Sequence, residues 1–212
     1  MPERSLARYP QAVTDWRDFS DDGLTPTLRA ARGLFARNGY HATSIRAVAE
    51  AAGLSVPGLY HHHRSKQAIL GALVDATMDR MLAHTRAAEA DSDGTALGRF
   101  DNVLECLLRF HMLRRDDAFV ASTEMRSMDD TLLLRHIAQR DEQQRMIADI
   151  IAQGVADGTF RCGHVDDGAR AAASLCVAVA GWYDPTGVLT ADEVVARQLD
   201  IARRIAGFPP PP

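Results

Sequence analysis

The sequence has few aromatic residues, few cysteines and no long apolar run. Aromatic residues make up 6% of its 212 residues. The three cysteines, Cys106, Cys162 and Cys176, are far apart, so we expect neither a disulfide framework nor a CxxC metal site, and a reducing cytoplasm fits best. No apolar stretch approaches the roughly 18 residues that a membrane span needs, and no basic segment followed by an apolar run opens the chain. We therefore expect a cytoplasmic protein that is neither exported nor membrane-spanning.

Catalytic signatures are also missing. The sequence has no HExxH motif, no paired-carboxylate site and no nucleophile and base at a recognisable spacing. The run His61-His62-His63 does not indicate a metal site, because consecutive residues on a helix point about 100° apart while helical neighbours lie three or four residues apart. We therefore expect no enzymatic activity, no metal and no cofactor. An enzyme of helical fold that uses its histidines or cysteines is the alternative.

Charge is unevenly distributed along the chain. Residues 24–70 contain five arginines and one lysine against a single acid, Glu50, a net charge of +5. Since the whole chain carries −4, the remainder carries −9. A basic module on an acidic body is the asymmetry expected when only one end of a protein meets phosphate.

Capping signals divide the basic module into short helices. Thr25 followed by Pro26 marks the start of the first helix, and Asn38-Gly39 marks its end. Thr43 or Ser44 caps a second helix that ends at Gly53, Ser55 caps a third, and Ser65 caps a long fourth. The pair 44–52 and 55–62, joined by a glycine turn, predicts a helix-turn-helix whose second helix enters the major groove.

The remaining sequence also follows a helical pattern. Helical stretches are predicted near 95–113, 117–126, 130–157, 166–183 and 191–206, and no strand is indicated. The predicted fold class is all-α, with a three-helix helix-turn-helix DNA-binding domain at 24–70 and a helical ligand-binding and dimerisation domain at 71–208. Residues 1–23 are predicted to be a flexible arm, and 209–212 form a proline tail.

A recognition helix must present small or polar side chains and free N–H groups at its N-terminus, and Ser55, Val56, Pro57 and Gly58 provide these. Gly58 allows the backbone to approach bases or phosphates closely. Tyr60 and His61 can hydrogen-bond to phosphate oxygens, and Lys66 adds a positive charge at the start of the next helix.

The strings TSIRAVA (43–49), AGLS (52–55) and LYHHHRSK (59–66) resemble the signature of TetR-type (tetracycline-repressor-like) bacterial transcriptional regulators. The resemblance implies phosphate contacts from Thr43 or Ser44, Tyr60, His61 and Lys66. It also implies base or groove contacts from Arg46, Ser55, Val56, Pro57 and Gly58. His63 departs from the pattern, because the family usually has Phe at this core position.

In TetR-type proteins the C-terminal helices bind a small effector, and the resemblance implies the same here. Adaptable methionines and apolar side chains between 95 and 137 suit such a cavity, although they also suit an ordinary packed core. The candidate effector residues are Phe100, Leu104, Leu107, Leu108, His111, Met112, Phe119, Met125, Met128 and Trp182.

The resemblance also implies dimerisation through the last helices. Small residues let helices approach closely, and a twofold dimer reads two half-sites separated by about 34–36 Å or a multiple. The candidate interface consists of a small-residue face (Ala169, Ala172, Ala173, Cys176, Val179, Ala180) and an aliphatic face (Val194, Val195, Leu199, Ile201, Ile205). An intrachain core is the competing interpretation of both faces.

The segment from Gly181 to Glu193 is similar to the last helical junction of TetR-type regulators of lipid, steroid and acyl-CoA catabolism, which suggests an acyl-CoA or another lipid-derived effector. The sequence as a whole predicts a ligand-responsive repressor that binds a palindromic double-stranded DNA operator as a homodimer and is released by a small apolar effector. The alternative is a helical protein-interaction module that has lost DNA binding.

Overall fold

The computed structural model describes residues 13–209, and within that range the chain forms nine α-helices and no strand. The helices are α1 (Pro26–Asn38), α2 (Ile45–Ala51), α3 (Val56–His62), α4 (Lys66–Ala90), α5 (Ala96–Leu113), α6 (Arg115–Thr123), α7 (Asp130–Asp157), α8 (Val165–Trp182) and α9 (Ala191–Ile205), and a 3₁₀ turn (Glu124–Ser127) follows α6. The all-α fold class is therefore confirmed. In the described part of the chain, no helix is both long and apolar enough to cross a membrane.

Side-chain caps determine where the N-terminal helices begin. The hydroxyl oxygens of Thr25, Ser44, Ser55 and Ser65 each accept a hydrogen bond from the backbone N–H three residues later. Each such cap contributes about 1 kcal/mol. The predicted caps are confirmed, and of the two candidates for the second helix, Ser44 is the cap.

The turn between α2 and α3 depends on Gly53. Its φ of 69° lies in the left-handed region, which glycine adopts without a steric penalty. The backbone N–H of Leu54 then donates to the carbonyl of Ala49 at 2.8 Å and closes the turn. The turn brings α3 back against α2, with Leu59 fully buried beside Val48 and Ala49 in the common core.

Helix α4 joins the basic module to the rest of the chain without a linker. Ile69 and Leu70 near its start are fully buried, and so are Leu73 and Val74 one turn later. The predicted boundary between residues 70 and 71 therefore falls inside a continuous helix, which packs against both α1 and α5.

Helix α5 lies at the centre of the C-terminal body. It contacts α4, α6, α7, α8 and α9, and Phe100, Leu104 and Leu108 on it are completely buried. A helix covered on so many sides must be apolar around most of its circumference. Its position explains why apolar residues dominate this stretch of the sequence.

Residues 13–23 pack on the body and do not form the flexible arm that the sequence predicted. The indole nitrogen of Trp16 donates to Asp91 at 2.9 Å, and the Phe19 ring stacks on His84 with centroids 4.5 Å apart. Two large aromatic side chains give this short segment enough buried apolar surface to order it. The prediction is wrong for residues 13–23, and residues 1–12 lie outside the described range. Of the proline tail, only Pro209 is described, and it is exposed.

Candidate DNA-binding surface and effector cavity

Helix α3 presents most of its predicted contact residues to solvent. Ser55, Pro57, Tyr60 and His61 are exposed, and the Tyr60 side chain is 46% exposed. The preceding residue, Leu59, is fully buried, since successive helical side chains point about 100° apart. The other two predicted residues, Val56 and Gly58, are half-buried at the start of the helix. Leu59 therefore fixes which side of α3 faces outward.

Three exposed arginines lie on the same three-helix module. Arg46 on α2, Arg37 at the end of α1 and Arg64 between α3 and α4 are all exposed. None of the ion pairs formed within residues 13–209 involves them. Their guanidinium groups are thus available for phosphate. The sequence analysis named Arg46 as a contact and counted Arg37 and Arg64 only as charge.

Thr43 does not belong to this surface. Its side chain is 2% exposed, and its hydroxyl donates to the carbonyl of Gly39 at 2.8 Å. The prediction that this hydroxyl contacts phosphate is wrong, because the side chain is buried and hydrogen-bonded to the backbone at the end of α1. Ser44, the next residue, is exposed.

Lys66 holds the loop between α1 and α2. Its ammonium nitrogen donates to the carbonyls of Tyr40 at 2.8 Å and Thr43 at 2.9 Å, and it lies 4.3 Å from the centre of the Tyr40 ring. These contacts occupy the group that was expected to meet DNA. The structure therefore gives Lys66 a bracing role, and a direct phosphate contact from it stays a prediction.

His63 ends α3 in an extended conformation, with φ −135° and ψ 117°. The side chain is half-buried. Desolvation, followed by the neighbouring His62, lowers the pKa of His63. The imidazole thus occupies the junction of α3 and α4 that the sequence analysis marked as a core position.

The histidines and cysteines of the described residues do not form a metal-binding cluster. Within residues 13–209, no three His, Cys, Asp or Glu side chains lie together in a group that could hold a metal ion. Burial raises the pKa of both Cys106 and Cys176, so these thiols are in the protonated, unreactive form.

A cavity of about 260 Å³ opens in the C-terminal body. Its walls come from five helices: Thr77, Met78 and Met81 of α4; Leu107, Phe110 and His111 of α5; Ala118, Ala121 and Ser122 of α6; His136, Ile137, Arg140, Asp141, Gln143 and Gln144 of α7; and Ala173 and Val177 of α8. Apolar walls with a few polar groups are typical of a small-molecule site.

The two histidines that line this cavity are deeply buried. His111 and His136 are 8% and 1% exposed. Burial first, and the nearby Arg140 second, lower the pKa of both imidazoles, and that of His111 falls to about 4. Both rings are therefore neutral at physiological pH.

Most of the predicted effector residues lie elsewhere. Only Leu107 and His111 line the cavity. Phe100, Leu104, Leu108, Met112 and Met128 are buried in the general core, Met125 packs against it, and Phe119 and Trp182 point into solvent at 48% and 52% exposure. These eight residues do not line the cavity, because the side of each helix, and not its composition, decides what reaches it.

The sequence analysis missed the contribution of α7. His136, Arg140, Gln143 and Gln144 lie at the spacing i, i+4, i+7 and i+8, which places them on one side of a helix. This polar stripe within a predicted helix was the signal that could have identified them.

The predicted dimer interface points into the subunit. Ala169, Ala172, Cys176 and Val179 are completely buried within the single chain, and Val195 and Leu199 are 5% and 7% exposed. Ala173 lines the cavity, while Ala180 and Ile205 are half-buried. Residues already buried in one subunit cannot form an interface with another, so the competing interpretation, an intrachain core, is correct for the buried residues.

An exposed recognition helix on a basic three-helix module, joined to a helical body with an apolar cavity, defines the class of helix-turn-helix transcriptional regulators with a ligand-binding domain. Comparison with known families agrees with this class. Residues 28–73 match the model of the bacterial regulatory proteins of the tetR family, and residues 93–206 match the tetracyclin repressor-like C-terminal domain. The chain belongs to the TetR family, whose members are transcriptional regulators and not enzymes.

Individual relatives support the assignment. The HTH-type transcriptional repressor KstR2 of Mycobacterium tuberculosis is 30% identical over 178 residues, covering 82% of this chain and 88% of that protein. A tetR-family regulatory protein from Rhodococcus RHA1 superposes with a TM-score of 0.82 at 25% identity, covering 87% of this chain and 97% of the other. AibR, solved with isovaleryl coenzyme A and operator DNA, has the same fold, with a TM-score of 0.78 at 19% identity and coverages of 87% and 97%.

Proposed function

We propose that this TetR-family repressor binds a palindromic operator as a homodimer and releases it when a small apolar effector enters the cavity. One observation carries the proposal. Helix α6, which forms a wall of the cavity with Ala118, Ala121 and Ser122, also packs against α1 of the DNA-binding module. Helix α1 packs in turn against α2, and α2 packs against the recognition helix α3, so a ligand in the cavity can act on α3 through these packed helices.

The proposed DNA contacts follow from exposure. Ser55, Val56, Pro57 and Gly58 meet base edges or the groove together with Arg46, while Ser44, Tyr60 and His61 meet phosphates. Thr43 is omitted because it is buried. Arg37 and Arg64 are added as phosphate contacts because both are exposed and unpaired in the described part of the chain.

The proposed dimer interface lies on the outer sides of α8 and α9. Val177, Trp182 and Ile201 are 41%, 52% and 47% exposed, and Val188 between the two helices is 99% exposed. Helices α8 and α9 pack against each other, and exposed apolar side chains on such a pair indicate a surface that a partner covers. A twofold pair is the arrangement that reads a palindrome, and one small helix-turn-helix by itself binds weakly.

The proposed mechanism is a population shift. An effector releases the operator only if it binds the non-binding conformation more tightly, and a coupling of roughly 1–3 kcal/mol changes operator affinity about 5–150-fold. The effector is proposed to be lipid-derived, because apolar groups dominate the cavity walls. The isovaleryl coenzyme A bound to AibR also carries an apolar acyl group.

Operator binding is best tested by fluorescence anisotropy with the DNA that flanks the protein's own gene, over a series of salt concentrations. We expect log affinity to fall linearly with log salt, because each neutralised phosphate releases a counterion. Arg46→Ala should reduce the slope by about one. A protein that binds no DNA at low salt, or binds with no salt dependence, would instead be the helical interaction module.

A further inference from the structure

We propose that the effector cavity selects a free carboxylate carried on an apolar body, and that Arg140, His111 and His136 bind the carboxylate. This inference rests on the proposed function, since it names the chemistry of the effector at the same site. It starts from polar atoms in the cavity that have no partner.

Four buried side-chain nitrogens lack hydrogen-bond partners. They are Nδ1 of His111, both ring nitrogens of His136 and Nε2 of Gln143. All three side chains are more than nine-tenths buried, at 8%, 1% and 6% exposure, and all three line the cavity. Buried polar atoms ordinarily have partners. A neutral imidazole has one N–H donor, and the amide of Gln143 has N–H donors as well. Their lack of partners around one cavity indicates that a ligand supplies hydrogen-bond acceptors.

Arg140 lines the same cavity and carries a positive charge. Within residues 13–209 it forms no ion pair, and its guanidinium donates only to the sulfur of Met125, at 3.1 Å. Its charge acts on both His111 and His136. A guanidinium presents a planar fork of donors that matches a carboxylate.

Other charged and titratable groups near the imidazoles are few. From α4, Asp75 acts weakly on His136, and from α6 the backbone carbonyl of Ala121 is close enough to the same ring to raise its pKa. Asp141 of α7 is exposed and lines the cavity one residue beyond Arg140. The lining residues of α8, Ala173 and Val177, are apolar. A carboxylate placed between the two imidazoles and Arg140 would meet ring N–H donors and the exposed guanidinium group of Arg140.

Apolar side chains of α4 and α5 determine the chemistry of the rest of the ligand. Met78, Met81, Leu107 and Phe110 are buried and line the cavity from α4 and α5. Flexible thioethers and an aromatic ring accommodate an alkyl chain or a ring system. The cavity therefore combines apolar walls with a guanidinium group and N–H donors.

A bound carboxylate should also draw protons to the site. An anion close to an imidazole favours its charged form, while the empty cavity keeps both rings neutral. Carboxylate binding should therefore be coupled to proton uptake when the pH is close to the pKa of free imidazole. Affinity should then be higher at about pH 6 than at about pH 8.

Isothermal titration calorimetry of the full-length protein with octanoate, 1-octanol, octylamine and octanoyl coenzyme A tests the proposal. We expect octanoate to bind at least about tenfold more tightly than the other three, with heats that depend on the ionisation enthalpy of the buffer at acidic pH. Arg140→Leu should bring octanoate down to the level of octanol. The matched control, Arg145→Leu on the same helix but outside this cavity, should behave as the unmodified protein.

Three results would overturn the proposal: equal affinity for octanoate and octanol, unchanged octanoate binding in Arg140→Leu, or no octanoate binding at all. Binding of octanoyl coenzyme A without octanoate would also overturn it, because the acceptor would then be a thioester. Operator binding and its salt dependence are measured separately on the unmodified, ligand-free protein, so a wrong effector chemistry is distinguishable from a wrong function.

Discussion

Glu124 accepts a hydrogen bond from the backbone N–H of Tyr40 at 3.1 Å, and this contact joins the 3₁₀ turn after α6 to the loop that leads into α2. The Glu124 side chain is 6% exposed, and its second oxygen accepts from Ser127 at 2.7 Å. Lys66 holds the carbonyl of the same Tyr40 residue. The loop is therefore held by the Glu124 carboxylate of the 3₁₀ turn and by the Lys66 ammonium group of α4.

Glu124→Leu should destabilise the protein by about 1–3 kcal/mol, because it leaves the buried N–H of Tyr40 without an acceptor. We expect weaker operator binding as well, since the loop positions α2. Urea unfolding and anisotropy measure the two effects. Glu124→Gln keeps an oxygen at the same position and should lose much less of both. If the Leu variant matched the Gln variant, the hydrogen bond would have no structural role.

Lys66→Met should separate bracing from phosphate contact. Losing hydrogen bonds from a charged donor to two carbonyls is expected to reduce stability by about 1.5–3 kcal/mol, while the slope of log affinity against log salt stays that of the unmodified protein. Arg46→Ala is the converse control, with unchanged stability and a slope smaller by about one. A reduced slope in Lys66→Met would show that the lysine contacts phosphate after all.

Acid should destabilise the fold through His111. Burial lowers the pKa of His111 from the ordinary 6.5 of an imidazole to about 4, so between these values the unfolded chain binds a proton that the folded chain does not. Stability is then fully present above about pH 6.5 and falls by about 3 kcal/mol as the pH drops to about 4.

Urea unfolding at a series of pH values checks this, with His111→Leu as the comparison. That variant removes the titrating group and should lose less stability in acid. It should keep a residual dependence from His84 and His136, whose pKa values burial also lowers. Parallel pH profiles for the two proteins would contradict the assignment to His111.

Ile201→Asp should dissociate the proposed dimer. The side chain is 47% exposed on α9, and a carboxylate in an apolar interface loses its hydration without gaining a partner. Sedimentation equilibrium measures the change. Leu134→Asp is the control, since Leu134 is even more exposed, at 68%, and belongs to α7, which is not part of the proposed interface. Dissociation by the control alone would place the interface on α7.

Gly154→Ala should cost about 1–3 kcal/mol of stability through overpacking. A Cβ added at Gly154 would lie 2.1 Å from a ring carbon of Phe160, which packs across α7 at this point. Gly33→Ala in α1 offers a matched control, because the added carbon meets only the mobile end of Arg37 and removing a helix glycine normally stabilises. Chemical denaturation should therefore shift in opposite directions for the two variants.

The DNA-binding module was largely readable from the sequence. Capping by Ser44, Ser55 and Ser65 is a local interaction over three residues, so the positions of α2, α3 and α4 follow from the residues themselves. The exposure of Tyr60 follows in turn from the burial of Leu59 on the next face.

The roles of Thr43 and Lys66 were not readable in this way. Both residues belong to the strings that resemble the family signature. The resemblance alone does not show whether such a polar side chain contacts DNA or stabilises the module. The carbonyls of Gly39 and Tyr40 answer that question only once the loop between α1 and α2 is folded back on the start of α4.

The sequence by itself determined the helices, the location of the basic module and the family, because caps, glycine turns and charge counts are properties of neighbouring residues. Only the tertiary structure decided which side of α8 is core, why Leu107 and His111 reach the cavity when Leu104 and Leu108 do not, and how α7 supplies Arg140. These outcomes depend on the rotation of each packed helix about its axis. Five helices must meet before that rotation is fixed, and a periodic pattern that suits a core suits a cavity or an interface equally well.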